Sequence, residues 1–418
     1  MPKFKSGSLL TLKRDSTKSL LGTSIGHFLN DGANNLFPAV YPVLLKSYNV
    51  SLEFIGILAA LYSLSSLVAS PFIGRRSDYN ESYLRLIPLG LIVVAFGILG
   101  FALSVAFFPG NLLYFGLVLF TLVAGFGSSF YHPIAAAILN ETWSFENRGR
   151  AMGINGSMGG VGTLVFPIIT VGLIVLYGVK SLTLVGIAFI LLAIAIYSIM
   201  KTIAAPERTK IADAERKVGV PLRIVLSSIL ALTLAGFFRS LMTQGVLNFL
   251  PTYLNTVSKI PYEYVGSVQV AYAFFAIVGQ PLFGSLSDRF GRKSMIGVTL
   301  VGCVGSVFLL SMSSTNFWLT EFSLGLFGLF SYTGFPLFLG LTGLIAPKGG
   351  ITLANSIVWG FGMIGGGTLG PVLVGILSEP TFLGSLNQAF LLLSGVGAIS
   401  LAFLPFIPNP AKTKVVST

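Results

Sequence analysis

His27, Asp31, His132 and Arg239 stand in stretches of sequence that are otherwise apolar. An ionisable group in such a setting is a functional hypothesis by default, because placing it in an apolar span costs about 3 kcal/mol or more. His27 and Asp31 are four residues apart, so a helix stacks them on one face. Asn30, Asn34 and Pro38 continue that face at i+3, i+7 and i+11. A polar stripe through an apolar helix should face a cavity. Histidine titrates near neutral pH, so an aspartate within reach of two imidazoles points to proton transfer, with Asp31 as the proton site and His27 and His132 as a relay. Each histidine can equally hydrogen-bond a neighbouring backbone group and fix helix packing. Arg239 needs an anion. Asp31 is one candidate, and an anionic substrate such as a phosphonate or carboxylate is the other. Gln244 and Asn248 follow Ser240 at i+4 steps, and Tyr332 can supply a further hydrogen bond, so Arg239, Asn30, Asn34, Gln244, Asn248 and Tyr332 form the candidate substrate set. His27, Asp31 and His132 also offer nitrogen and oxygen ligands suited to a divalent ion as cargo. No resident metal or other cofactor is expected.

The elements that must hold these groups are membrane helices. With 54% hydrophobic and only 10% charged residues, and a mean hydropathy of +0.85, the 418-residue chain has too little polar surface for water. Twelve stretches of about 20 apolar residues lie between residues 20 and 407, and the least hydrophobic long segment, 205–222, divides them six and six. The expected organisation is a cytoplasmic tail (1–19), a six-helix bundle (20–204), a cytoplasmic linker (205–222), a second six-helix bundle (223–407) and a cytoplasmic tail (408–418). The net charge of +12 does not indicate nucleic acid. With the N-terminus inside, 22 of the 26 Lys and Arg fall in cytoplasmic segments, and only Lys46, Lys180 and Lys259 lie outside. The expectation is a multi-pass protein of the cytoplasmic membrane with both termini cytoplasmic. One cysteine, Cys303, excludes a disulfide framework.

The two halves repeat. At an offset of 210 residues, Glu53-Phe54-Ile55-Gly56 aligns with Glu263-Tyr264-Val265-Gly266, Pro71-Phe72-Ile73-Gly74 with Pro281-Leu282-Phe283-Gly284, and Asp78 with Asp288. A parallel repeat of this kind places its site between the halves, near the midplane of the membrane.

Gly284-Ser285-Leu286-Ser287-Asp288-Arg289-Phe290-Gly291-Arg292-Lys293 resembles the G-x-x-x-D-R-x-G-R-K loop of the major facilitator superfamily at every specified position, with Gly74 and Asp78 as a weaker first copy. The resemblance implies twelve transmembrane helices in two pseudo-symmetric bundles, alternating access and a functional monomer. In that setting Gly74, Asp78, Gly284, Asp288, Arg289, Gly291, Arg292 and Lys293 form a cytoplasmic gate, the glycines allowing close packing and the charges pairing across helix ends. Gly125-Phe126-Gly127-Ser128-Ser129-Phe130-Tyr131-His132-Pro133 and His27-Phe28-Leu29-Asn30-Asp31 look like segments of fosmidomycin-resistance-type transporters. This implies proton-driven efflux of drug-like or metabolite-like compounds. Uptake symport of an organic anion is the alternative, with a divalent metal exporter or a transporter-like sensor behind it. An enzyme is not expected, since the sequence has no H-E-x-x-H, nucleophile elbow or nucleotide loop.

Overall fold

A computed structural model describes residues 6–78, 83–203, 222–313, 315–346 and 351–408; all are helical, turn or irregular, with no strand among them. The principal helices are α1 (Ser6–Ser47), α2 (Leu52–Asp78), α3 (Leu86–Phe107), α4 (Asn111–Ser128), α5 (Tyr131–Thr142), α6 (Phe145–Tyr177), α7 (Leu182–Met200), α8 (Leu222–Thr256), α9 (Tyr262–Val268), α10 (Val270–Phe290), α11 (Arg292–Ser313), α12 (Phe317–Ser331), α13 (Gly334–Ile345), α14 (Ile351–Ile357), α15 (Gly366–Ser378) and α16 (Leu386–Ala398). Eleven helical segments among the described residues are long and apolar enough to cross a membrane. The twelfth expected span falls in α1, where His27, Asn30, Asp31, Asn34 and Asn35 lower the hydropathy. Large apolar side chains such as Phe72, Trp318 and Phe361 are exposed along these helices, as expected where hydrocarbon is the solvent.

Helix α1 begins at Ser6, inside the stretch assigned to the N-terminal tail. The helix is tied down at Ser16 and Lys18: Ser16 Oγ donates to the Thr142 carbonyl (2.6 Å), Trp143 Nε1 donates to the Ser16 carbonyl (3.1 Å), and Lys18 Nζ donates to Thr202 Oγ1 (2.7 Å). Most of the expected linker and C-terminal tail lies outside the described residues. The chain forms two compact units, residues 1–40 with 61–210, and 41–60 with 211–418. The short segment 41–60 joins the second unit, where the first turns of α2 meet α15 through glycine. A Cβ on Gly56 would lie 2.4 Å from the Pro371 carbonyl oxygen, and one on Gly375 would lie 2.6 Å from that of Leu52. Glu379 completes the contact by accepting a hydrogen bond from the Glu53 amide (3.1 Å) at the helix start.

The repeat read from sequence continues in the geometry. After α1 the Val50 amide reaches back to the Leu44 carbonyl (3.1 Å), and after α8 the Ile260 amide reaches back to Leu254 (2.9 Å). The offset is again 210 residues. Each turn needs a left-handed residue, Asn49 (φ 51°) in one and Lys259 (φ 58°) in the other. In the first unit Gly125 of α4 packs on the Tyr62 main chain, and in the second Gly328 of α12 packs on Tyr272, the residue aligned with Tyr62. Both partners are backbone, so neither position has room for a side chain. We expect Gly328→Leu to destabilise the protein by about 1–3 kcal/mol, read as a lower Tm in detergent. Gly305→Leu, where an added Cβ meets nothing within 4 Å, serves as the neutral control.

Two spans are broken at matching places. Helix α4 stops at Ser128 and α5 starts at Tyr131, while α12 stops at Ser331 and α13 starts at Gly334. A third irregularity is the π-helical stretch Val358–Gly365 between α14 and α15. In a membrane such backbone is tolerated only where it is covered by protein or lines a cavity. The first two adjoin His132 and Arg239, and the third accepts a hydrogen bond from Ser240, next to Arg239 in sequence.

Candidate functional site

In the first unit α1, α5 and α6 assemble the titratable cluster. His27 Nε2 lies 3.2 Å from Asp31 Oδ2, and His132, just past the α4–α5 break, places its Nε2 3.9 Å from Asp31 Oδ1. The two imidazole centroids are 5.6 Å apart. His27 Nδ1 faces the Asn155 main-chain oxygen at 2.8 Å and the Asn155 side-chain oxygen at 3.1 Å. Since both atoms accept, Nδ1 must carry a hydrogen. A hydrogen bond across the 3.2 Å contact on the other side of the ring needs a second hydrogen, either on His27 Nε2 as imidazolium or on Asp31 as a neutral acid. The arrangement can store one proton on two atoms.

Neighbours orient the carboxylate. Ser128 Oγ donates to Asn30 Oδ1 (2.9 Å), which turns the Asn30 amide so that Nδ2 donates to Asp31 Oδ1 (3.2 Å) and faces His132 Nε2 at 3.5 Å. Tyr131 stacks on His27 with ring centroids 4.8 Å apart and donates to the Thr23 carbonyl (3.0 Å). Exposure rises along the cluster, from 14% for the His27 side chain to 23% for Asp31 and 61% for His132. His132 is the open end. Helix α6 can come this close only because residue 159 has no side chain: a Cβ there would meet His27 Nε2 at 2.6 Å and Asp31 Oδ2 at 2.7 Å. Gly159→Ala is expected to separate the pair and to lower pH-driven flux several-fold in proteoliposomes; with the Tm unchanged, a loss of packing alone is ruled out.

The candidate substrate residues divide. Asn30 is buried and spent on Ser128 and Asp31, whereas Asn34 is exposed. Asn35, one position on, donates to the Asp31 carbonyl (2.8 Å) and Thr163 Oγ1 (3.3 Å). In the second unit Arg239 is 4% exposed and donates from Nη2 to the Ser331 carbonyl and to that of Phe330 (3.2 Å), at the α12–α13 break. Asp31 and Arg239 thus each take their partners within their own unit. Arg239 Nε is buried without an acceptor, and Cys303 lies within electrostatic range of the group. Gly334 makes the space, since a Cβ there would sit 2.2 Å from the guanidinium carbon. Ser240 Oγ donates to the Met363 carbonyl (2.5 Å) in the π-helical stretch. Gln244 and Asn248 are half-buried, with Asn248 Nδ2 donating to the Gln244 carbonyl (2.9 Å), and the Tyr332 ring lies edge-on to Tyr272 at 5.9 Å.

The segment read as a gate loop is mostly helix. Residues 284–290 form the last turns of α10, and Gly291, at φ 88°, alone makes the turn into α11. Arg292 donates to the Gly340 carbonyl and Lys293 to that of Ile407, so both cations tie helix ends together. Asp288 and Arg289 are exposed, with the Arg289 guanidinium 5.2 Å from the Phe290 ring centroid. A Cβ added at Gly284 would meet nothing among the described residues within 4 Å, and one at Gly74 would lie 3.8 Å from Pro133 Cβ. The side chain of Asp78 lies outside the described residues. Among the described residues no group of three or more His, Cys, Asp and Glu is arranged to hold a metal ion.

Asn155, Ser128 and Gly159 are absent from the sequence-based candidates. Asn155 had a signal, as the single Asn in the apolar stretch 150–177. Gly159 had none, because glycine is common in membrane helices for many reasons.

The sequence model described as Major Facilitator Superfamily matches residues 23–266 and 232–418. The Fosmidomycin resistance protein of Escherichia coli (strain K12) is 23% identical over 400 residues, covering 94% of this chain and 95% of its own. An uncharacterized MFS-type transporter of Bacillus subtilis (strain 168) is 26% identical over 409 residues, covering 94% of each. Among solved structures, a D-xylose-proton symporter superposes with a TM-score of 0.78 at 14% identity, over 94% of this chain and 98% of that one. The last likeness speaks for the fold.

Proposed function

The chain belongs to the major facilitator superfamily, multi-pass membrane transporters rather than enzymes, and on that premise we propose that it exports small drug-like or metabolite-like solutes, anions among them, in exchange for protons. The observation that carries this reading is the Asp31 carboxylate between two imidazoles, with one ring nitrogen of His27 committed to a carbonyl. His132 takes the proton from the open side, Asp31 and His27 hold it, and its arrival or loss biases the switch between facing states. Arg239, with Gln244, Asn248 and Tyr332 nearby in sequence or at the same helix break, supplies the substrate contacts. The similarity to the Fosmidomycin resistance protein supports export. The charge bias supports cytoplasmic termini in the cytoplasmic membrane, and the protein works as a monomer.

Flux in proteoliposomes under an imposed pH gradient tests the proposal. Fosmidomycin, suggested by the relative's name, is the first solute to load. The expected result is solute movement against the proton gradient together with proton release. Arg239 favours a second reading, symport of an organic anion, and movement of both species in the same direction would select it. No movement of solute or protons under either gradient would refute both.

A further inference from the structure

The twin turns that follow α1 and α8 differ in one residue. Asparagine at 49 adopts the left-handed conformation readily, whereas lysine at 259 does so rarely. That conformation holds Lys259 in the lining of a cleft of about 400 Å³, with Lys46 at the end of α1, and with Pro42, Pro261 and Tyr262 as further walls. The volume suits a small organic ligand. Two ammonium groups and no carboxylate line it. Asn255, in the last turn of α8, also belongs to the lining and is only 6% exposed. Its Nδ2 donates to the Ile260 carbonyl (2.9 Å), which fixes the amide's orientation, and its Oδ1 is buried without a hydrogen-bond partner. A buried acceptor left unpaired calls for a donor.

We propose that this cleft binds a small phosphate, phosphonate or carboxylate that carries a neighbouring O–H or N–H. Lys46 and Lys259 neutralise the charge, and Asn255 Oδ1 accepts the hydrogen bond that a simple anion cannot offer. The site is distinct from the transport residues. Lys46 is fifteen residues beyond Asp31 on α1 and Asn255 sixteen beyond Arg239 on α8, about 22 and 24 Å along the helices. On the charge bias, it lies at the outer face. The same chemistry occurs in a free organic anion and in the headgroup of phosphatidylglycerol, whereas phosphatidylcholine has no O–H or N–H.

Calorimetry on the full chain in phosphatidylcholine nanodiscs, with 3-hydroxypropylphosphonate and propylphosphonate as probes, tests this. The hydroxylated probe is expected to bind about tenfold more tightly, the worth of one good hydrogen bond. Lys46→Gln with Lys259→Gln should weaken both probes at least tenfold. Asn255→Leu should erase the preference between them, and should Asn255→Leu fail to fold, the lysine variant still decides. Gly305→Leu, the neutral packing control, should change neither affinity. Repeating the titration in phosphatidylglycerol nanodiscs identifies the source: weakened probe binding supports a headgroup in the cleft, and unchanged binding supports a free anion. Binding that is independent of the two lysines, or equal for the two probes, would overturn the proposal.

Discussion

Asp31→Asn is expected to abolish transport driven by a pH gradient and to leave the protein folded. The substitution is close to isosteric, and the tautomer of His27 makes it compatible with the site. Because Nδ1 already donates to the Asn155 carbonyl, Nε2 of a neutral His27 has a lone pair free to accept from the introduced amide. The hydrogen bond survives while the exchangeable proton does not. Proton uptake with solute release should therefore fall to the level of empty liposomes, whereas solute-for-solute exchange, which needs no proton, continues. The Tm should stay within a few degrees of wild type. His132→Gln, at the open end of the cluster, should slow the same flux without abolishing it, since water can reach Asp31 by the path the imidazole occupied. Undiminished pH-driven flux in Asp31→Asn would place the coupling elsewhere.

Arg239→Met is expected to weaken anion binding, if Arg239 contacts the substrate as proposed, and to cost stability as well. Replacing the guanidinium leaves the Ser331 carbonyl without its donor, at about 1–3 kcal/mol for a buried unsatisfied group. The Phe330 carbonyl keeps Thr333 Oγ1 as a donor at 2.8 Å, so the damage stays local. Loss of a charge-assisted hydrogen bond to substrate should weaken binding of an anion by about 10- to 150-fold, using about 1.5–3 kcal/mol for such a bond. Arg239→Lys separates the two effects. A compact ammonium can satisfy Ser331 and restore much of the Tm, but it lacks the planar fork that reaches two acceptors, so anion binding should remain impaired. A thermal-shift titration of all three proteins reads both quantities. Restored binding in Arg239→Lys would mean that charge alone is recognised, and unchanged binding in Arg239→Met would reduce the residue to a structural tie.

Much of this molecule was legible one residue at a time. Apolar spans, the six-and-six division and the 210-residue offset are properties of composition and order, so they can be counted along the chain. The pairing of His27 with Asp31 was legible for the same reason, since four residues is one helical turn. Its orientation was not. Asn155 and Ser128 are distant in sequence from the groups they fix, and their roles depend on the crossing of α6 and α4 with α1. The gate segment was mistaken for a loop because its glycines and charges are loop-like in composition, while the run through Phe290 needs only one left-handed residue, Gly291, to end it.

The sequence by itself determined that the chain lives in a membrane, that it is a doubled helical body, and that its few buried charges are rare enough to matter. These follow from solvent preference and helical period, which act locally. Only the tertiary structure decided what each charge touches. Asp31 lies between two histidines, one of them delivered by a broken helix, and Arg239 is held by carbonyls at the matching break in the other unit. The physical reason is that glycines such as Gly159 and Gly334 contribute only the absence of a side chain, and that absence becomes a site when another helix arrives to fill the space.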